Sequence, residues 1–222
     1  MAKPNPAARE NVVNAARTLM SAKGYTATTV DDICDAAGVT KGTFFHYFAS
    51  KEEIAGAALQ SYCEAQKATI RNAPFFKNGN PLERFSGFIN FVTASTSDPV
   101  AQGCLAGVFA QELSDTHPEL RRLCVGAFAQ LRSEILELLS AIKAVHAPSS
   151  PHDPADLADH FLAVFEGAMV VARAHGDNAP LAASLRHYEQ YIRTLFATPP
   201  AHVPRAAART ARKRPAATSR QT

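Results

Sequence analysis

The residues best suited to chemistry lie between Thr28 and Lys51. Thr40, Lys41, Gly42 and Thr43 set two hydroxyls, a cation and a glycine together, and Phe44-Phe45-His46-Tyr47 follows at once. At the start of a helix, where backbone N–H groups are unpaired and the dipole is positive, such a set suits a phosphate or a base edge. An outward aromatic ring there can press on a thymine methyl or a sugar. Lys51, after Ser50, has the type and place to clamp a second phosphate. The candidate DNA contacts are Thr28, Thr29, Thr40, Lys41, Gly42, Thr43, Phe45, His46, Tyr47 and Lys51.

Other chemistries find little support. The chain has no glycine-rich phosphate loop, no G-x-S-x-G and no His/Glu run with metal spacing, and its eight His are scattered. Four cysteines (Cys34, Cys63, Cys104, Cys124) form no CxxC pair, so free thiols are expected and a structural zinc is not. No enzyme activity, cofactor or metal is expected.

The elements that must position the candidate contacts are short helices. Val12, Ala16, Leu19 and Met20 mark a first helix that Gly24 stops. Thr29-x-x-Asp32 has the spacing of a capping box, with Val30, Ile33 and Ala37 as the inner face of a second helix. Gly38 permits the left-handed turn of an αα corner, Val39 plugs it, and Thr40 caps a third helix running to Tyr47. Phe44 and Phe48 have the spacing of core residues. Asp31 and Asp32 read as first-turn dipole partners. This is a helix-turn-helix whose last helix reads the major groove.

The stretch from Thr29 or Thr28 through Ile33, Ala37-Gly38-Val39, Lys41-Gly42-Thr43, Tyr47-Phe48 and Ser50-Lys51-Glu52 resembles the DNA-binding region of the TetR family of transcriptional regulators. The likeness implies an N-terminal three-helix DNA-binding domain, a larger helical ligand domain and dimerisation through the last two helices. It implies backbone contacts for Tyr47 and Lys51. Phe45 stands where the family usually carries tyrosine, so one hydroxyl-to-phosphate contact is missing.

Beyond the motif, prolines at 74, 81, 99, 118, 148, 151, 154 and 180 divide apolar runs of helical spacing, and no long stretch alternates like a strand. The fold class is all-α. Leu120, Cys124, Phe128, Leu131, Ile135, Leu138 and Ile142 trace one stripe along a helix of about seven turns. Stripes around Leu157–Val171 and Leu181–Leu195 are the expected four-helix dimer interface, so Asp at Leu185 or Ile192 should dissociate or unfold the protein. Nine of the thirteen Phe fall between Phe75 and Phe165, enough to line an apolar cavity. Phe88, Phe109, Phe128 and Phe165 are the candidates for an effector site, with Cys104 as a sensor. Gly103-Cys104-Leu105 resembles a TetR subgroup with a Gly-Cys-Leu motif, some of whose members respond to electrophiles or oxidants. A helix start at Cys104 would lower its pKa.

Net charge is +3, but six basic residues and no acid lie from Thr198 to Thr222, so the remaining body is mildly acidic. That tail is rich in Pro, Ala, Arg and Thr and reads as disordered, adding non-specific DNA affinity. The expected domains are 1–51 for DNA, 52–197 for ligand and dimerisation, and 198–222 as tail. No signal-peptide core or membrane-length run is present, which points to the cytoplasm. The expected function is a ligand- or electrophile-responsive repressor that binds a near-palindromic operator as a homodimer. The alternatives are a constitutive DNA-binding protein without effector, and a helical-bundle enzyme.

Overall fold

The computed structural model describes residues 6–95 and 103–197. Those residues form nine α-helices and one 3-10 turn, with no strand among them. The basic tail, and Asp98, Pro99 and Gln102 before the Gly-Cys-Leu motif, lie outside the described residues.

Local chemistry sets the first four helices. α1 (Pro6–Lys23) buries Val12, Ala16 and Met20 at four-residue intervals. It ends at Gly24, whose φ of 84° needs a residue without a β-carbon. Thr29 caps α2 (Val30–Ala37) in a full capping box: its hydroxyl accepts from Asp32 N and the Asp32 carboxylate accepts from Thr29 N. Gly38 takes the left-handed conformation (φ 66°) that turns the corner into α3 (Lys41–Tyr47). The Thr40 hydroxyl accepts from Thr43 N at 3.1 Å, and Ser50 does the same for Glu53 N at the start of α4 (Lys51–Arg71).

The 3-10 turn Pro74–Lys77 leads to α5 (Pro81–Ser95), and α6 (Leu105–Leu113) follows. α7 (Pro118–His146) carries the long apolar stripe and runs for 29 residues, with proline in its first turn. Asp153 caps α8 (Pro154–His175), Gly176 closes it with φ 68°, and α9 (Ala179–Leu195) packs back along it. The Tyr188 hydroxyl fastens the pair by donating to the Leu157 carbonyl at 2.6 Å.

Two apolar cores result. One joins α1 to α4 with α6 and the start of α7, through Met20, Ile33, Phe44, Phe48, Leu59, Phe109 and Leu120. The other joins α5, α7, α8 and α9, through Phe85, Phe88, Ile135, Ile142, Phe161 and Leu185. The first core runs straight past residue 51, because Ile54, Ala55, Ala58 and Leu59 of α4 belong to it.

One expectation about the interface is corrected here. Leu185 and Ile192 are fully buried within their own chain, where α8 and α9 cover each other. The outward side of that pair carries Val170, Val171 and Tyr191, all exposed.

Candidate DNA-reading surface and effector cavity

α3 presents two faces. Phe44 is fully buried and Phe48 nearly so, which locks the helix onto α1 and α4. Lys41, Gly42, Phe45 and His46 lie on the exposed side, and Phe45 keeps 54% of its surface in solvent. Its ring is braced edge-on by Phe44 at 5.1 Å, while His46 packs edge-on against Tyr47 at 4.9 Å. The Thr40 and Thr43 hydroxyls share a hydrogen bond of 3.0 Å. Lys41 reaches across the corner to Asp31 at 2.7 Å, which raises the lysine pKa. Both groups are exposed, so water screens the pair and the ammonium is available to a phosphate.

Two of the candidate contacts are engaged within the chain. Thr28 is fully buried and its hydroxyl donates to the Gly24 carbonyl at 2.6 Å, so that side chain closes the α1–α2 loop instead of facing outward. Lys51 also turns inward. Its ammonium donates to the Tyr25 and Thr28 carbonyls at 2.9 and 2.8 Å and sits 4.2 Å from the Tyr25 ring centroid. Burial lowers its pKa, opposed by Glu112. Three carbonyl or ring acceptors arranged around one cation make a loop staple. Thr29 stays exposed, its oxygen engaged in the capping box.

Between the two cores lies a cavity of about 380 Å³. Helices contribute to it in turn: Tyr62, Cys63, Gln66, Lys67 and Ile70 from α4, Phe88 and Phe91 from α5, then Phe128, Leu131 and Glu134 from α7. Phe161, Phe165, Met169 and Arg173 come from α8. The cavity lies where the long stripe of α7 passes from one core to the other, and Phe128 and Leu131, partly buried against those cores, also face it. Phe161 and Phe165 stack at 5.8 Å on its wall. Size and apolar lining match a small-molecule site.

Of the sequence candidates, Cys104, Phe88, Phe128 and Phe165 line this cavity. Phe109 does not; it is buried in the first core, edge-on to Tyr25 at 6.2 Å. Cys104 does cap α6, and its carbonyl accepts from Val108 N at 2.9 Å. The expected acidic thiol is corrected, because burial raises its pKa and the nearby Glu166 carboxylate raises it further. Glu166 is itself shifted up by burial, and one of its oxygens is buried without a partner among the described residues. Glu134, on the wall, is likewise shifted up by burial, opposed by Arg71 and Lys67. Sequence reading missed Tyr62, Gln66, Glu134, Met169 and Arg173. Apart from their positions on helical faces, no local signal marks them.

Two family models match the chain: "Bacterial regulatory proteins, tetR family" over residues 12–58 and "Tetracyclin repressor-like, C-terminal domain" over residues 81–188. The chain belongs to the TetR family. The HTH-type transcriptional repressor DhaR of Mycobacterium sp. (strain GP1) is 29% identical over 188 residues, 85% of this chain and 90% of that protein. A TetR regulatory protein from Rhodobacter sphaeroides superimposes with a TM-score of 0.76 at 27% identity, covering 83% of this chain and 98% of that one. The reduced form of NemR from E. coli superimposes at 0.72 with 23% identity, covering 86% and 98%. At that identity NemR shows a shared fold and carries nothing about Cys104. This TetR-family chain is thus a transcriptional regulator with a DNA-binding helix-turn-helix. No helix among its described residues is long and apolar enough to cross a membrane.

Proposed function

We propose that this TetR-family regulator is a dimeric repressor that reads its operator with the exposed face of α3 and releases it when the cavity fills. The observation that carries the reading is Phe45. A half-exposed phenylalanine, braced from behind and flanked by Lys41, Gly42 and His46, offers apolar surface and a cation to one groove. Thr40, Thr43 and Tyr47 complete the surface, and Thr29 stands at the edge where a phosphate would pass. A relative named a repressor supports the sign of regulation. TetR-family repressors act as dimers that respond to small molecules, and two recognition helices must meet major grooves about 34 Å apart. Exposed Val170, Val171 and Tyr191 on α8 and α9 provide the apolar patch for the second copy.

The experiment is selection of bound sequences from random DNA, followed by binding to the selected site. Phe45→Ala should weaken the selected site by about tenfold and leave random DNA almost unchanged. Val171→Asp should give a folded monomer by sedimentation, whereas Leu185→Asp should unfold the chain. Equal loss on selected and random DNA would refute the reading role of Phe45, and an intact Val171→Asp dimer would move the interface elsewhere.

A further inference from the structure

Arg173, near the end of α8, stands with one arm on each side of a boundary. Its Nη2 donates to the Ala22 carbonyl of α1 at 2.9 Å. Its Nη1 lies against Gly103 on the cavity rim, 3.7 Å from where a β-carbon would stand. Ala22 is the next-to-last residue of α1, so its carbonyl belongs to the last turn, whose carbonyls lack intrahelical donors. A guanidinium there satisfies that oxygen and meets the negative end of the helix dipole. On the other side of the α1–α2 loop, the Glu112 carboxylate of α6 accepts from Thr26 N at 3.0 Å. The loop that leads into the helix-turn-helix is therefore held by a cation from α8 and an anion from α6. Both helices also touch the cavity, α6 through Ala106 and its capping residue Cys104.

The charges on the wall are not balanced. Among the described residues, Lys67 and Arg173 line the cavity with a single acid, Glu134, and Lys67 and Arg71 already act on that carboxyl. Arg173, itself exposed, is the cation at the rim of a cavity whose apolar wall also carries Tyr62 and Gln66. Glu166 sits behind Gly107 and is not on the cavity wall; burial shifts its pKa up. A guanidinium fork takes a carboxylate through two parallel N–H bonds between opposite charges, whereas Ala22 offers one neutral carbonyl.

We propose that the cavity takes a small apolar molecule bearing a carboxylate, that Arg173 reads that anion, and that the guanidinium leaves Ala22 in doing so. Recognition of the ligand and release of the end of α1 are then one event. This rests on the reading of the cavity as the effector site. Arg173 is both the specificity-determining residue and the coupling residue.

The test uses hexanoate and benzoate against their neutral counterparts hexanamide and benzamide, with the full chain. Calorimetry measures affinity, fluorescence anisotropy measures operator release, and hydrogen exchange follows residues 22–28. Wild type should bind the carboxylates at least about tenfold more tightly than the amides and release the operator with them. Exchange across residues 22–28 should rise on binding. Arg173→Met should lose the discrimination and the exchange response while remaining folded. Equal affinity for acids and amides in wild type would overturn the proposal and leave the cavity reading intact. So would failure of both acids to bind at millimolar concentration. Met169→Trp, which fills the cavity, separates the two ideas: carboxylate binding that survives it unchanged shows that the effector site lies elsewhere.

Discussion

Replacing Lys51 with methionine keeps the aliphatic stem and removes the ammonium, which discriminates a staple from a phosphate clamp. In the structure that ammonium donates to two carbonyls, at 2.9 and 2.8 Å, and faces the Tyr25 ring. Each hydrogen bond from a charged donor is worth about 1.5 kcal/mol at the low end appropriate to a half-buried group. The ring contact adds about 0.5 kcal/mol. Desolvation of the ammonium, visible in its lowered pKa, offsets part of this, so a net loss of about 2–3 kcal/mol is expected. For a chain of this size that lowers Tm by about 4–12 °C. The salt dependence of operator binding, measured as log Kd against log salt by anisotropy, should keep its slope. Lys41→Ala is the contrast: its Tm should hardly move, and the slope should fall by about 0.9 per half-site. If Lys51→Met keeps its Tm and loses slope instead, the inward geometry does not describe the working protein.

Two further outcomes follow from the buried acids and thiols. Because the folded pKa of Glu166 lies above its unfolded value, its burial costs nothing below the unfolded pKa and increasingly more as pH rises past it. Glu166→Gln should therefore raise Tm at pH 7 and leave it unchanged near pH 4; an equal shift at both pH values would contradict the shift. Cys63 is half-buried on the cavity wall and Cys104 is buried, so iodoacetamide at pH 7.5 should label Cys63 several-fold faster by mass spectrometry. Faster labelling of Cys104 would restore it as a reactive sensor.

The helix-turn-helix was legible because its signals are local. Thr29 and Asp32 cap each other three residues apart, Gly38 needs only its own backbone, and Phe44 and Phe48 show their burial by spacing. What was not legible depended on distant partners. Lys51 has the sequence context of a phosphate ligand, but its direction is set by carbonyls of Tyr25 and Thr28, more than twenty residues earlier. Cys104 was rightly placed at a helix start. Its acidity, however, is set by burial and by Glu166 on another helix. Phe88 and Phe109 look alike in sequence, and only the packing of α4, α5, α7 and α8 decides that one borders a cavity and the other fills a core. Arg173 had no motif at all, since its carbonyl partner lies 151 positions away.

The core that runs from α1 through α4 into α6 and α7 also governs how the chain folds. A fragment ending at residue 51 would lack Ile54, Ala55, Ala58, Leu59, Leu105 and Phe109, which share one core with Phe44 and Met20. The reading head is therefore not an autonomous foldon, and its opening free energy should approach that of the whole chain. Slow exchange of amides in α2 and α3 would then report on occupancy of a cavity those helices never touch, because a ligand that binds only the folded state raises the free energy of every opening that empties it.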